Sequence, residues 1–167
     1  MADMKTLDDL FVHKLRRVYD AEQRLTKALP KLVKAASSPE LKAALQVHFE
    51  ETEVHVERLD RIFGWFGEKP KADTCDGMNG IIWDGDDMRD LDAESEVRDA
   101  GLIASAQEAE HWAIAVYGTL RTWAVVLEKK EAMQVLEVTL EEEKAADERL
   151  TQIARRLNLR AATLAHH

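Results

Sequence analysis

Apolar side chains recur every three or four positions along four long segments of the chain, and this spacing constrains the fold more than any other feature. The segments cover residues 7–32, 41–66, 97–124 and 136–157. Because a helix presents every third or fourth residue on one face, each segment predicts a helix with one buried stripe. Gly (7) and Pro (3) are scarce, whereas a β-sandwich or barrel needs turn residues every ten or so positions. The sequence therefore predicts an all-α protein.

The connections between these helices predict how the helices are arranged. Ser37-Ser38-Pro39-Glu40 supplies a capping serine and a proline at the first helical position, so only a short turn separates the first two helices. Residues 64–91 hold five of the seven glycines and read as a long connection. Two antiparallel pairs joined by one long connection is the ferritin-like arrangement. We predict a single-domain, ferritin-like four-helix bundle over residues 1–167.

Three finer expectations concern the helices themselves. Pro30 lies inside the first stripe and predicts a kink rather than a break. Asn158 is a plausible end for the fourth long helix. Within the long connection, four apolar residues predict a short helix that caps one end of the bundle, with Trp83 packed beside it: Met78, Ile81, Ile82 and Met88.

Charge and composition limit the classes of partner. The formal net charge is −9, so nucleic acid or an anionic membrane surface would repel the molecule, and neither is expected as a partner. No apolar run approaches the roughly 20 residues that cross a bilayer. Residues 1–9 lack the pattern of a signal peptide, and we expect a cytoplasmic location. The single cysteine, Cys75, is expected to be structurally incidental.

Each stripe is interrupted near its middle by polar groups that ordinarily avoid a core. Glu22 follows Leu15 by seven residues and precedes Leu25 by three, and Glu110 has apolar neighbours four residues away on both sides. Both side chains are therefore predicted to point inward. The candidates on the other two helices are His48, Glu51, Thr52 and His55, and Glu142, Glu143 and Asp147.

Buried carboxylates need a positive partner, because an unpaired one is costly to desolvate. The stripe positions beside these acids are apolar and the lysines lie toward the outer faces, so a pair of metal ions is the simplest compensation. Oxygen-rich ligands with a histidine suit iron or manganese. We predict a site for two iron ions, or for manganese, formed by Glu22, Glu51, His55, Glu110, Glu142, Glu143 and Asp147.

The fit to the known di-iron pattern is partial. In such bundles two helices give one Glu each, and the other two each give a Glu-x-x-His motif. Here Glu51 precedes His55 by four residues rather than three, and the fourth helix has no histidine. Two questions stay open: whether Glu142 or Glu143 is the ligand, and whether His48 binds a metal or supports a ligand.

An internal repeat links the two halves of the chain. Glu50-Glu51-Thr52 followed by Glu57-Arg58-Leu59 reappears as Glu141-Glu142-Glu143 followed by Glu148-Arg149-Leu150. Asp-Ala-Glu-Gln at residues 20–23 is similarly echoed at residues 108–111. The repeat implies two helical hairpins related by an approximate twofold axis.

Five separated motifs, in this order along the chain, carry a family resemblance: Leu-Arg-Arg-Val-Tyr-Asp-Ala-Glu from residue 15, Thr-Lys-Ala-Leu-Pro-Lys from 26, Ser-Ser-Pro-Glu-Leu-Lys from 37, Tyr-Gly-Thr-Leu-Arg from 117 and Glu-Glu-Lys-Ala-Ala-Asp-Glu from 142. They resemble the YciF-type ferritin-like family over nearly the whole chain. The resemblance implies a bacterial stress-associated protein with a rubrerythrin-like bundle, often dimeric. It also implies that the acidic candidates match the family's acidic motifs, whereas glutamine in relatives at the position of His55 leaves that residue as a ligand or a support.

The principal functional hypothesis is a ferritin-like metal-binding protein of the oxidative or general stress response, with oxidase-like or peroxidase-like activity left open. The alternative is a stress-induced structural or interaction bundle with a degenerate site, and a third reading is a subunit of an iron-storing shell. We expect a homodimer, partly because Phe63, Trp65 and Phe66 are predicted to be exposed apolar residues at the end of the second helix. The sequence identifies no redox partner.

Overall fold

The computed structural model describes residues 4–164, and within that range every regular element is a helix. The helices are α1 (Leu7–Ala35), α2 (Pro39–Trp65), α3 (Asp76–Arg89), α4 (Ser95–Val126) and α5 (Lys130–Thr163). Four of them are the long helices predicted from the stripes, and α3 is the short helix predicted in the long connection. The predicted all-α bundle is confirmed.

The turn between α1 and α2 follows its sequence signals. The Ser38 hydroxyl accepts a hydrogen bond from the backbone N–H of Leu41, and a proline occupies the first helical position. The buried carboxylate of Asp99 in α4 accepts hydrogen bonds from the backbone N–H groups of Ser37 and Ser38, at 2.8 and 2.7 Å. This contact ties the turn to the second hairpin. Upstream of it, α1 continues unbroken through Pro30.

The four long helices form a ring in which α1 packs on α2 and α4, and α5 packs on α4 and α2. Two apolar clusters fill the interior, one toward each end. One holds Leu25, Leu29, Leu45, Leu102, Ile103 and Ile153, and the other holds Phe11, Leu15, Ile62, Leu120 and Leu136. Because the start of α1 shares a cluster with the ends of α2 and α4, neighbouring helices are antiparallel. The polar groups of each stripe lie between the two clusters.

Helix α3 lies along the side of the bundle, on α1 and α4, rather than across one end. A Cβ added at Gly77 would lie 3.3 Å from the Trp112 ring, and one added at Gly101 would lie 3.2 Å from the Met88 sulfur, so α3 follows α4 closely. Trp83 belongs to α3 itself and is 68% exposed, so the prediction that it packs beside the short helix is wrong. Trp83 comes directly after Ile82, and one residue corresponds to about 100° of helical rotation, so its side chain points to solvent.

Two further predictions are corrected. Helix α5 continues past Asn158 to Thr163. The apolar end of α2 is not a free surface: Phe63 is fully buried, and the Phe66 ring stacks on Phe11 with centroids 4.2 Å apart. Both aromatic rings complete the cluster at that end. Among residues 4–164, no helix is long and apolar enough to cross a membrane.

Candidate metal centre

Five polar side chains from four helices are buried between the two apolar clusters. Glu22 comes from α1, His48 and His55 from α2, Glu110 from α4 and Glu143 from α5, and none is more than 5% exposed. Each stands on the inward stripe of its helix, one or two turns from core residues on either side. The prediction that Glu22 and Glu110 point inward is confirmed.

The five side chains form two groups that share Glu143. One group is Glu22, His55 and Glu143, and the other is His48, Glu110 and Glu143; within each, one donor atom per residue lies within 4.8 Å of the others. His55 Nδ1 is 3.3 Å from a Glu143 oxygen and 3.6 Å from a Glu22 oxygen. His48 Nε2 is 3.0 Å from a Glu110 oxygen, and its Nδ1 is 3.9 Å from the second Glu143 oxygen. The chain thus has carboxylate and histidine groups arranged so that they could hold metal ions.

Seven nitrogen and oxygen atoms of this cluster that could bind a metal have no hydrogen-bond partner within residues 4–164. They are Glu22 Oε2, His48 Nδ1, His55 Nδ1 and both carboxylate oxygens of Glu110 and of Glu143. A buried polar atom left without a partner costs about 1–3 kcal/mol, and more when charged. Seven of the eleven such atoms among residues 4–164 lie at this one place.

The electrostatics of the cluster show how the chain alone balances its charge. Burial raises the pKa of Glu110 well above its usual value, and the negative charge of Glu143 raises it further. Burial lowers the pKa of His48. Burial also opposes charge on His55, but the hydrogen bond to Glu142 and the nearby carboxylates of Glu143 and Glu22 outweigh it and raise the pKa to about 12. Burial favours the neutral form of Glu143 too, yet contact with His55 leaves its pKa lowered. Both raised pKa values favour a bound proton, on Glu110 and on His55, and each such proton reduces the repulsion among the buried carboxylates.

An ion pair supports His55 from its outer side. His55 Nε2 lies 2.8 Å from a Glu142 oxygen, and Arg58 donates to both oxygens of the same carboxylate, at 2.5 and 3.0 Å. Arg58 also donates to the hydroxyl of Thr139. Hydrogen bonding to His55, followed by Arg58, lowers the pKa of Glu142 to about 2. Glu142 therefore holds the ring so that Nδ1 faces the cluster.

The internal repeat has a structural counterpart on the face shared by α2 and α5. Glu51 of α2 accepts a hydrogen bond from Arg149 of α5 at 2.8 Å, while Arg58 of α2 pairs with Glu142 of α5. Residues 51 and 142, and residues 58 and 149, occupy equivalent positions in the two repeats. The two ion pairs are therefore related by the approximate twofold axis that the repeat implies.

The structure brings together four of the seven sequence-predicted ligands and leaves three outside the cluster. Glu22, His55, Glu110 and Glu143 converge. Glu51 turns to Arg149, and Glu142 lies behind His55. Asp147 is on the opposite flank of α5, where Gln107 donates to it at 3.1 Å and His111 lies 3.5 Å away. The reason is helix rotation, because neighbouring residues point about 100° apart.

The same rotation explains the imperfect Glu-x-x-His match. The inward positions spaced by three are Thr52 and His55 on α2, and Glu143 and Ala146 on α5, all of them buried. Each helix thus keeps one half of the motif: α2 has the histidine and α5 has the glutamate. His48, one turn before Thr52, adds a second imidazole that the usual pattern does not contain.

Tyr117 is a further member of the site that sequence reasoning did not place among the candidate ligands. Its hydroxyl donates to Glu22 Oε1 at 2.5 Å, and the side chain is 1% exposed. Burial, and then the nearby carboxylates, raise the pKa of Tyr117 well above 10.0. The available signal was its position on the α4 stripe, two turns after Glu110. Tyr117 satisfies one oxygen of Glu22 and leaves the other free.

Comparison with known proteins gives the chain close relatives over most of its length. Residues 6–163 match a family model described as "Domain of unknown function (DUF892)". The chain is 44% identical to Protein YciF of Escherichia coli K12 over 153 residues, which are 91% of this chain and 92% of that protein. The crystal structure of the E. coli stress protein YciF matches with a TM-score of 0.89 and 43% identity, over 92% of this chain and 98% of that one. A second structure, YcfI, described as a putative structural protein from Rhodopseudomonas palustris, matches with a TM-score of 0.86 and 41% identity, over 90% and 96% of the two chains.

Proposed function

We propose that this chain, which belongs to the DUF892 family, is a ferritin-like metal-binding protein with two metal ions between the helices of its bundle. The proposed ligands are Glu22, His48, His55, Glu110 and Glu143, with Glu143 shared by both ions. The observation that carries the proposal is the convergence of seven buried nitrogen and oxygen atoms that have no hydrogen-bond partner among residues 4–164. Cations would satisfy all of them at once and cancel the carboxylate repulsion.

The nearby arginines do not provide this compensation. Arg58 is engaged with Glu142, and Arg149 with Glu51, in the layer outside the cluster. Small multivalent cations fit a space enclosed by carboxylate and imidazole groups better.

The donor set favours iron or manganese. Three carboxylates and two imidazoles combine hard oxygen donors with borderline nitrogen donors. Bound there, either metal would supply redox chemistry toward dioxygen or peroxide. The chain's own contribution is positioning: Glu142 fixes the ring of His55, and Tyr117 fixes the carboxylate of Glu22, so that the free donor atoms face the centre. In this assignment Glu142 is a supporting residue, and Glu51 and Asp147 lie outside the ligand set.

The cellular context of the proposal comes from the relatives. E. coli YciF is called a stress protein, and we extend a role in the oxidative or general stress response to this chain. We also propose a cytoplasmic homodimer. Sedimentation analysis tests the stoichiometry, and a monomer or a large shell would contradict it.

A metal titration tests the proposal directly. Protein stripped with a chelator and then titrated anaerobically with Fe²⁺, or with Mn²⁺, should take up about two ions per chain by calorimetry and elemental analysis. The variant Glu143→Gln should lose at least one of them, because the shared ligand is weakened. Absence of binding, or full binding by this variant, would contradict the proposal.

A matched control separates ligand loss from a general effect of charge. Glu141 lies two positions earlier on the same helix, is exposed and pairs with Lys144. Glu141→Gln should retain two ions with unchanged affinity. Equal losses in both variants would show that net charge rather than coordination governs binding.

A second candidate function is a structural or interaction bundle whose metal site has degenerated. Two observations favour it: Thr52 and Ala146 stand where a second Glu and a second His would complete the usual pattern, and the R. palustris relative is described as a putative structural protein. Thermal unfolding decides between the two functions. A metal at a hundred times its Kd would stabilise the fold by about 2.7 kcal/mol, whereas a degenerate site predicts the same Tm with metal and with chelator.

A further inference from the structure

A small apolar cavity of about 30 Å³ lies beneath α3, between α1 and α4, and reaches His48. Its walls are mostly aliphatic: Leu25, Leu29, Ile81, Ile82, Ala106 and Ala109. The polar groups that line it are few, namely His48, Ser105 and Asp86. Nothing in the metal-binding proposal accounts for this space.

The cavity connects the surface at α3 with the buried cluster. Ile81, Ile82 and Asp86 on α3 are partly exposed. Ala106 and Ala109 on α4 are only 4% and 7% exposed, and His48 is 5% exposed. His48 is also the residue whose Nε2 lies 3.0 Å from Glu110. One end of the cavity is therefore near solvent and the other touches a proposed ligand.

The size of the cavity restricts what can occupy it. A single water needs roughly 10–15 Å³ of such volume, so there is room for about two atoms of that size. Each buried water needs two to four polar partners, and the lining offers only His48, Ser105 and Asp86, so waters filling this space would be poorly satisfied. Hydrated ions, carboxylic acids and sugars are excluded by both size and desolvation cost. The fitting class is a small, neutral, apolar molecule.

We propose that this cavity is a binding site for dioxygen and the passage by which dioxygen reaches the metal ions. Use of the gas at the metals rests on the proposed function, but binding of the gas in the cavity does not. Helix α3 contributes the partly exposed Ile82 to the wall, and α4 contributes the buried Ala106. A residue that fills the space would leave all five proposed ligands in place.

Dissolved dioxygen itself is the probe for the metal-free protein. Dioxygen is paramagnetic, so it speeds the relaxation of methyl protons that it contacts. Under dioxygen pressure the methyl groups of Leu29, which is 2% exposed, should relax faster than those of Leu120, which is fully buried in the opposite cluster. Crystals of the metal-free protein under xenon should show one xenon atom at the same place, since apolar cavities take up xenon.

Two blocking variants and one control complete the test. Ala106→Leu fills the cavity from α4. Ile82→Trp fills it from α3, at a partly exposed position that accepts a larger side chain more easily, and it serves as the test if Ala106→Leu folds poorly. Both should abolish the xenon peak and the excess relaxation at Leu29. Ala104→Leu, at an exposed position of the same helix, should change neither. Equal relaxation at Leu29 and Leu120, or persistence of the signal in both blocking variants, would overturn the inference.

The loaded protein distinguishes this inference from the metal proposal. With metal content unchanged, dioxygen consumption by iron-loaded Ala106→Leu should be about tenfold slower, which corresponds to an added barrier of about 1.4 kcal/mol. If the chain bound no metal but dioxygen entered the cavity, the metal proposal alone would fail. If the chain bound two ions and the cavity took up no gas, the dioxygen passage alone would fail.

Discussion

Raising the pH of the metal-free protein from 7 to 9 should destabilise it, and His55 should be a major cause. In the folded chain burial opposes charge on His55, but the hydrogen bond to Glu142 and the nearby carboxylates of Glu143 and Glu22 raise its pKa to about 12 against an ordinary value of 6.5. The folded state therefore keeps a proton that the unfolded state releases. The stabilisation is fully present below pH 6.5 and is lost as pH rises toward 12.

The magnitude follows from proton linkage. Where the folded state binds one proton more than the unfolded state, the free energy of unfolding falls by about 1.4 kcal/mol per pH unit. Between pH 7 and 9, where the unfolded histidine is mostly neutral, this amounts to about 2.5 kcal/mol. For a chain of this length each kcal/mol shifts Tm by roughly 2–4 °C, so Tm should fall by about 5–10 °C. Burial raises the pKa of Glu110 as well, and a raised folded-state pKa gives a pH dependence of the same sign.

Differential scanning calorimetry in the presence of a chelator measures this slope. His55→Gln should remove the part that belongs to His55, while His111→Gln, at a side chain that is 66% exposed, should leave the slope unchanged. Saturating Mn²⁺ should reverse the trend near neutral pH, because metal ligands must lose their protons. An unchanged slope in His55→Gln would refute the assignment of a buried imidazolium.

Three other substitutions test individual parts of the site and the fold. Arg58→Met should weaken metal binding by about tenfold in a calorimetric titration, because Glu142 would no longer be held against His55; unchanged affinity would show that this ion pair does not position the ring. Thr52→Glu should complete the Glu-x-x-His motif, so it should lower the Tm of the metal-free protein and raise the Tm in Mn²⁺, and a shift in the same direction under both conditions would contradict the ligand register. Asp99→Ala should cost about 3 kcal/mol in urea unfolding, because two backbone N–H groups at the start of α2 lose a charged acceptor; a cost under about 1 kcal/mol would mean that water replaces the carboxylate.

The limits of the sequence prediction are clearest on α2. Its stripe passes through His48, Thr52 and His55, and these three residues are buried as that spacing indicates. Glu51 was predicted to be a ligand because it is a carboxylate next to this stripe. One position corresponds to about 100° of rotation, however, and that rotation turns Glu51 to Arg149. The carboxylate of Glu51 suggested it as a ligand, whereas the apolar periodicity alone pointed to His48, Thr52 and His55, which are the buried residues.

The long connection shows a similar division. Its apolar residues correctly predicted α3, but they did not predict where α3 packs. Met78 is fully buried and Trp83 is largely exposed, although both are large apolar residues of the same short helix. The spacing of Met78, Ile81, Ile82 and Met88 marks one face of α3, which packs on α1 and α4, and Trp83 lies about 100° away from that face.

The sequence by itself determined the four helices, their arrangement as two pairs with short internal connections and one long connection between the pairs, and the inward direction of Glu22 and Glu110. These are local properties, because the spacing of apolar residues along one helix defines the face that is removed from water. Only the tertiary structure decided that Glu143 is shared by two groups, that Glu142 supports His55 from behind, that Tyr117 reaches Glu22, and that a cavity ends at His48. Those features depend on the rotation and axial shift of one helix against another, which arise from side-chain packing across the bundle and are recorded in no single stretch of the chain.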